Sequence, residues 1–199
     1  DNNVKYWTAE LSWFTSFNTG DFLSMQAVRT HDVVDEAFSP SDRRDDIVIP
    51  AGDYTFTSIS TGNRPSRARK LRPEFGFEVG TYYTGRRYTF DTELIYLPSG
   101  RLSYEMIYEG NWLRLPQGNA TINTVTSRAL YSFSTDFFVK LFVQWNNDKE
   151  TFSTNFLLNY RYRPGSDIFF VFDSGFDTFD GLSRRNRSML LKWSYLMNL

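Results

Sequence analysis

The ionisable residues of this chain recur at alternate positions rather than in compact clusters. Arg72, Glu74 and Glu78 are evenly spaced, as are Arg87, Asp91 and Glu93, then Glu105 and Glu109. Arg128, Lys140, Arg161, Arg163 and Lys192 continue the series downstream. On an extended chain, even spacing puts side chains on one face, so these residues predict a polar wall of both signs. Such a wall suits two chemistries. One is a lumen-facing channel lining that selects solutes by charge. The other is a cross-strand lattice of ion pairs that satisfies charge inside a filled interior. Acid–base catalysis is not among them, because nothing places two carboxylates about a bond at the separations hydrolases use.

The remaining candidates are weaker. His31 is the single histidine, with Asp32 beside it. Nucleophilic catalysis needs a serine, a base and an orienting group in contact. Ser24 lies an odd number of residues back on the same predicted strand and so faces the other way. No catalytic residue is therefore assigned, and a surface histidine is expected. Asp173, Asp177 and Asp180 fall around a predicted last loop, where carboxylate oxygens suit calcium. Their spacing does not match the helix–loop–helix calcium motif, so a solvated acidic loop is the expectation. The stretch 32–46, with Asp32, Asp35, Glu36, Asp42, Asp45 and Asp46 around Arg43 and Arg44, reads the same way. Arg64, Arg67, Arg69, Lys70 and Arg72 form the basic run. No aromatic platform is interleaved with it, so nucleic acid is not the expected partner; lipid head groups or acids of the next strand are. The absence of cysteine removes disulfides and thiolate chemistry, and no cofactor is implied.

What must position these residues is a set of long strands. Between Asp136 and Leu199, four segments alternate between apolar and polar residues. Phe137, Val139, Leu141, Val143 and Trp145 share one face; Phe152, Phe156, Leu158, Tyr160 and Tyr162 share the next. Alternation over eleven to fourteen residues exceeds the usual strand of about five or six and suits a tilted strand crossing a bilayer, which needs about 9–11. Aromatics make up 18% of the 199 residues and net charge is −1, while mean hydropathy is negative. A membrane barrel gives that combination, because polar lumen residues dilute the lipid-facing ones; a soluble sandwich with an aromatic core gives it too. Arginine outnumbers lysine 17 to 5, which suits packed ionic networks.

About eleven strands are predicted, at 2–17, 21–31, 53–61, 69–83, 86–97, 101–113, 120–133, 136–146, 150–163, 167–175 and 187–199. The class is all-β, an antiparallel up-and-down transmembrane barrel, with no linker dividing 1–199. Trp7, Trp13, Trp112, Trp145, Tyr160 and Tyr162 fall near strand ends, as girdle aromatics do. If the last strand ends at the periplasm, the two longest connections, 32–52 and 176–186, lie outside, as expected of such barrels. An odd strand number leads to the expectation that this is the C-terminal part of a larger barrel.

The segments Phe133–Asn146, Ser153–Asn155, Asn159–Asp167 and Ser188–Tyr195 carry a resemblance, most specific in the turn Tyr162-Arg163-Pro164-Gly165-Ser166-Asp167. This region resembles the C-terminal barrel of a poorly characterised outer-membrane family that pairs an N-terminal carbohydrate-binding module, like those of family nine, with a large β-barrel. The resemblance covers roughly the last seventy residues. It implies the outer membrane of a Gram-negative bacterium, membrane lipid and the barrel insertion machinery as partners, and a role as anchor or transport channel for a glycan-handling protein. A different class stays open: a soluble or periplasmic β-sheet protein that binds an apolar ligand or a protein partner on its aromatic face.

Overall fold

A computed structural model describes residues 4–197. It is all-β, with eleven strands of 10 to 15 residues: β1 (Tyr6–Ser16), β2 (Phe22–Val34), β3 (Gly52–Arg64), β4 (Leu71–Tyr82), β5 (Gly85–Ser99), β6 (Leu102–Leu115), β7 (Gly118–Ser132), β8 (Phe137–Asn146), β9 (Thr151–Arg163), β10 (Ser166–Asp177) and β11 (Ser183–Trp193). They form one sheet in sequence order, each strand antiparallel to the next, as the alternation predicts. Among the described residues no pairing joins β1 to β11. Contacts divide the chain into two compact units: Asp1–Glu93 with Tyr108–Asn123, and Leu94–Ile107 with Thr124–Leu199.

On β4 of the first unit the strand faces are inverted relative to a water-soluble sheet. Along β4, Leu71, Phe75, Phe77, Val79 and Thr81 are exposed, while Arg72, Glu74 and Glu78 between them are half-buried. Along β3, Ile59 and its threonine neighbours are exposed, and Tyr54, Phe56, Ser58 and Ser60 are sheltered. The registers Ile59↔Val79 and Thr61↔Phe77 place the exposed sets of the two strands on one surface. Among the described residues of the whole chain, 28 large hydrophobics are exposed and five hydrophobics are buried. Isolated exposed apolar residues are ordinary, but adjacent ones such as Ile59, Phe77 and Val79 on paired strands mark an apolar patch.

In the second unit, register joins Val139, Leu141, Val143 and Trp145 of β8 to Leu158, Phe156, Thr154 and Phe152 of β9. Ile168, Phe170 and Phe172 of β10 extend that surface to Trp193, Leu191 and Met189 of β11. Here both faces are partly open: Lys140 and Leu141 are each exposed.

The five buried hydrophobics form one cluster. It consists of Leu113 and Leu115 of β6, Ala120 of β7, and Ile47 and Ile49 of the β2–β3 connection. Phe38, Tyr54, Tyr82, Tyr83 and Ile122 pack around it. Over 32–46 the charged residues from Asp35 onward are exposed, as expected of a solvated stretch, but Ser41 within it and Ile47 and Ile49 just beyond it are buried. β2 runs on to Val34, and the connection folds back with Ile47 and Ile49 both at 0% exposure. Phe38 and Ile49 exchange backbone hydrogen bonds of 3.1 and 2.8 Å. The acidic residues that make the stretch look solvated surround two short apolar anchors, too few to register as a periodic pattern.

The expected loop 176–186 is corrected. β10 reaches Asp177 and β11 starts at Ser183, with a register shift at Gly175/Phe176, so only 178–182 connect them. The start of β11 is Ser-Arg-Arg-Asn-Arg, which carries no apolar alternation and is read as loop on composition. β11 also ends at Trp193 rather than at 199. The predicted positions 2–3 and 198–199 lie outside the described residues.

Gly118 opens β7 at φ +149°, and a Cβ there would come within 3.2 Å of the Ile47 side chain. Gly118→Ala therefore both strains the backbone and displaces Ile47. We expect a loss of about 1–3 kcal/mol in denaturant unfolding, against no more than about 0.5 kcal/mol for Ser99→Ala at an exposed strand end.

Candidate functional site

The polar face of the first unit is built on β4, β5 and β6. An Arg87 Nη donates to Glu78 Oε1 at 2.5 Å, and the guanidinium lies 4.9 Å from the centre of the Tyr82 ring. Thr89 donates to Asn111 at 2.7 Å, and Asn111 Nδ2 donates to Glu109 at 2.9 Å. Asp91 sits within electrostatic range of both Glu109 and Glu78. Its carboxylate occupies the space that a Cβ on Gly76 would fill, so the glycine on β4 is what admits it. Glu74 faces Arg64 at 3.4 Å, and Glu93 is engaged. Arg72 has a buried Nε with no hydrogen-bond partner. Of the predicted wall residues in this unit, two are basic and five acidic, and Asp91 and Glu109 form no ion pair among the described residues.

In the second unit Arg128 donates to Glu105 at 2.8 Å and stands 5.2 Å over Phe142. Arg161 lies 3.9 Å from Asp136 and 3.5 Å from Asp167. Arg163 donates to the Leu196 carbonyl at 3.1 Å and packs 4.1 Å over Tyr195. Lys140 and Lys192 make no ion pair among the described residues. The registers Arg128↔Phe142, Phe142↔Asn155, Asn155↔Asp173 and Asp173↔Ser188 carry one face continuously from β7 to β11. Lys140 and Lys192 lie on this face by alternation. Some of the wall charges are thus paired, while Asp91, Glu109, Lys140 and Lys192 are exposed.

Turns and loops carry their own electrostatics. Asp21, just before β2, accepts from the Ser66 amide at 2.9 Å and the Thr19 hydroxyl at 2.7 Å, and faces Arg69 at 2.5 Å. These contacts, the Ser66 amide foremost, hold its carboxyl below the usual range. Arg44 hydrogen-bonds Asp46 at 2.7 Å, which depresses the Asp46 carboxyl and keeps Arg44 more firmly protonated. Burial raises the Tyr83 phenol, helped by its 2.7 Å hydrogen bond to Asp32.

Opposite the polar face, the second unit carries a line of aromatics near the 133–136 and 164–165 turns. Tyr131 meets Phe133 edge-on at 4.8 Å, Phe133 stacks on Phe137 at 4.5 Å, and Phe137 meets Tyr160 at 5.7 Å. The Trp193 indole donates to the Tyr162 hydroxyl at 2.9 Å. Of the aromatics expected near strand ends, Tyr160 and Tyr162 belong to this line.

The other candidates are dispersed. His31 stacks on Trp7 at 5.7 Å, and its Nδ1 approaches Thr55 Oγ1 at 3.2 Å and Asp53 at 3.3 Å. A triad needs the nucleophile and the orienting group at opposite ring nitrogens of the histidine base; here Thr55 and Asp53 both approach Nδ1. Asp173 lies within β10 rather than in a loop, accepting from Asn155 and Ser188. Asp177 faces Arg185 at 3.7 Å, and no group of three potential ligands gathers among the described residues. In the basic run, Arg64 and Arg69 are matched to Glu74 and Asp21.

These contacts can be measured in two ways. The Glu105–Arg128 pair is half open to water, so a double-mutant cycle should give a coupling of about 0.2–1 kcal/mol; a value near 3 kcal/mol would make the wall a stability device. Asp21, with its folded pKa lowered, contributes stability that is present above its unfolded pKa and lost as pH falls through the folded one. In thermal unfolding across pH 2–6, Asp21→Asn should therefore flatten the acid limb.

No family model matches the chain, and no curated protein matches it. Among solved structures it is similar to one described as the NanC porin in a rhombohedral crystal form, with 12% identity, 96% of this chain and 94% of that chain covered, and a TM-score of 0.39. A likeness of that size carries no argument about function, which rests on the chain's own residues.

Proposed function

We propose that this chain is a segment of an outer-membrane β-barrel whose apolar face meets lipid and whose polar face lines a passage for hydrophilic solutes. The observation that carries the reading is the inversion on β4, where Phe75, Phe77 and Val79 are exposed, with Ile59 of β3 beside them, and Arg72, Glu74 and Glu78 are half-buried. A soluble sheet is selected for the opposite arrangement. In a bilayer the same arrangement leaves apolar side chains to lipid and charged ones to water. Strands of 10–15 residues are long enough to cross, and the Tyr131–Phe133–Phe137–Tyr160 line fits an interfacial belt. The sheltered wall is ionic rather than apolar, which favours solute passage over binding of an apolar ligand. Association with a carbohydrate-binding module rests on the resemblance of the last strands alone. It makes anchoring or transport for a glycan-handling protein the finer form of the proposal.

The intact protein should fractionate with the outer membrane and migrate on gels in a heat-modifiable way. Phe77→Arg, on the lipid face, should destabilise the inserted protein by about 2–4 kcal/mol if it lies near the midplane. In planar bilayers, Asp91→Lys should shift the reversal potential toward anions and Arg161→Glu toward cations. Recovery from the soluble fraction without detergent, or conductance indifferent to both reversals, would overturn the reading.

A further inference from the structure

The connection 35–51 is the part of the chain that behaves like a conventional core. Its apolar anchors Ile47 and Ile49 are fully buried against Leu113 and Leu115 of β6 and Ala120 of β7. Those strand residues belong to the polar face: Leu113 and Leu115 follow Glu109 and Asn111 at even spacing on β6. The connection therefore lies on the same surface as the charged wall, at the end of β3, β6 and β7 nearest the loop. It is also held by specific polar contacts. An Arg44 Nη donates to the Asn119 carbonyl at 3.1 Å. The Ser39 hydroxyl donates to the Arg44 carbonyl at 3.0 Å, and the Arg44 amide donates to the Ser41 hydroxyl at 3.1 Å. Gly118 leaves the space into which Ile47 fits.

Between the Ser41 and Ile47 anchors, the tip Asp42-Arg43-Arg44-Asp45-Asp46 stays exposed. The segment thus combines an apolar foot seated on the wall with a charged tip held above it. A loop that only bridged two strands would need neither, since it could remain solvated as its composition suggests. Buried anchors, reciprocal backbone bonds and a side-chain bond to a strand carbonyl raise the free energy of local opening. The segment is therefore a fixed element and not a mobile lid.

We propose that 35–51 is an inward plug that narrows the passage, seated by Ile47 and Ile49, with the tip 42–46 as the charged surface that entering solutes meet. This rests on the channel reading and adds where the passage is narrowest and what sets its width. The test uses the intact protein, whose chain here lacks cysteine. In detergent and in liposomes, Ile47→Cys should resist a water-soluble maleimide, while Val48→Cys should react about tenfold faster or more. In planar bilayers, Ile47→Asp/Ile49→Asp should unseat the foot and raise single-channel conductance about twofold or more, with heat-modifiable migration retained. Gly118→Val, which displaces Ile47 without changing the sequence of 35–51, should move conductance the same way if the double variant fails to insert. Equal labelling at positions 47 and 48, or unchanged conductance in an inserted unseated variant, would overturn the plug while leaving the channel intact. Failure of the intact protein to insert at all would instead sink the channel reading, and the labelling contrast would still report whether the foot is seated.

Discussion

Alternation gives every strand two faces, and the character of the surroundings decides which face can be left uncovered. On β4 the uncovered face is Phe75, Phe77 and Val79, and the covered one is Glu74 and Glu78. In water this arrangement loses twice: apolar area stays hydrated, and charge is partly desolvated. In lipid both terms change sign, because the phenylalanines find an apolar solvent and the charges keep a polar enclosure. Strand length, the scarcity of buried hydrophobics and the aromatic line near the 133–136 turn all fit the proposed lipid-facing arrangement.

The polar enclosure has its own economy of charge. Glu78 with Arg87, and Glu105 with Arg128, are neighbours across strands, so each carboxylate has a donor close by. Exposed pairs of this kind contribute little to stability. Asp91, admitted by Gly76, and Lys140 on β8 are not spent in ion pairs among the described residues. They give the two units different local charge. The seated connection 35–51 covers part of this wall with the one patch of conventional apolar packing, where Ile47 and Ile49 are withdrawn from water entirely.

Much of this was legible in the residues. The period of two is strong over ten or more positions, so the number of strands, their order and most of their boundaries could be read directly. The even spacing of the wall residues likewise carried their common face. What could not be read had physical causes. The Ser183–Arg187 start of β11 is a polar edge with no alternation, held by backbone pairing to β10 that composition does not reveal. The anchors Ile47 and Ile49 are two residues in an acidic stretch, and their burial depends on Leu113 and Leu115 more than sixty positions away. Asp177 looked like a loop acid because β10 continues two residues past the predicted end at 175. The glycine at 118 was the available signal for the seated loop, since a tight approach there needs a residue with no Cβ.

The central claim is the orientation of the faces, and spin labelling along β4 reads it most directly. With single cysteines at positions 74 to 79 of the liposome-reconstituted protein, collision rates with oxygen should peak at 75, 77 and 79. Collision rates with a water-soluble nickel complex should peak at 74, 76 and 78. Oxygen maxima on the even positions, or labels at 75, 77 and 79 reached by neither quencher, would contradict the account.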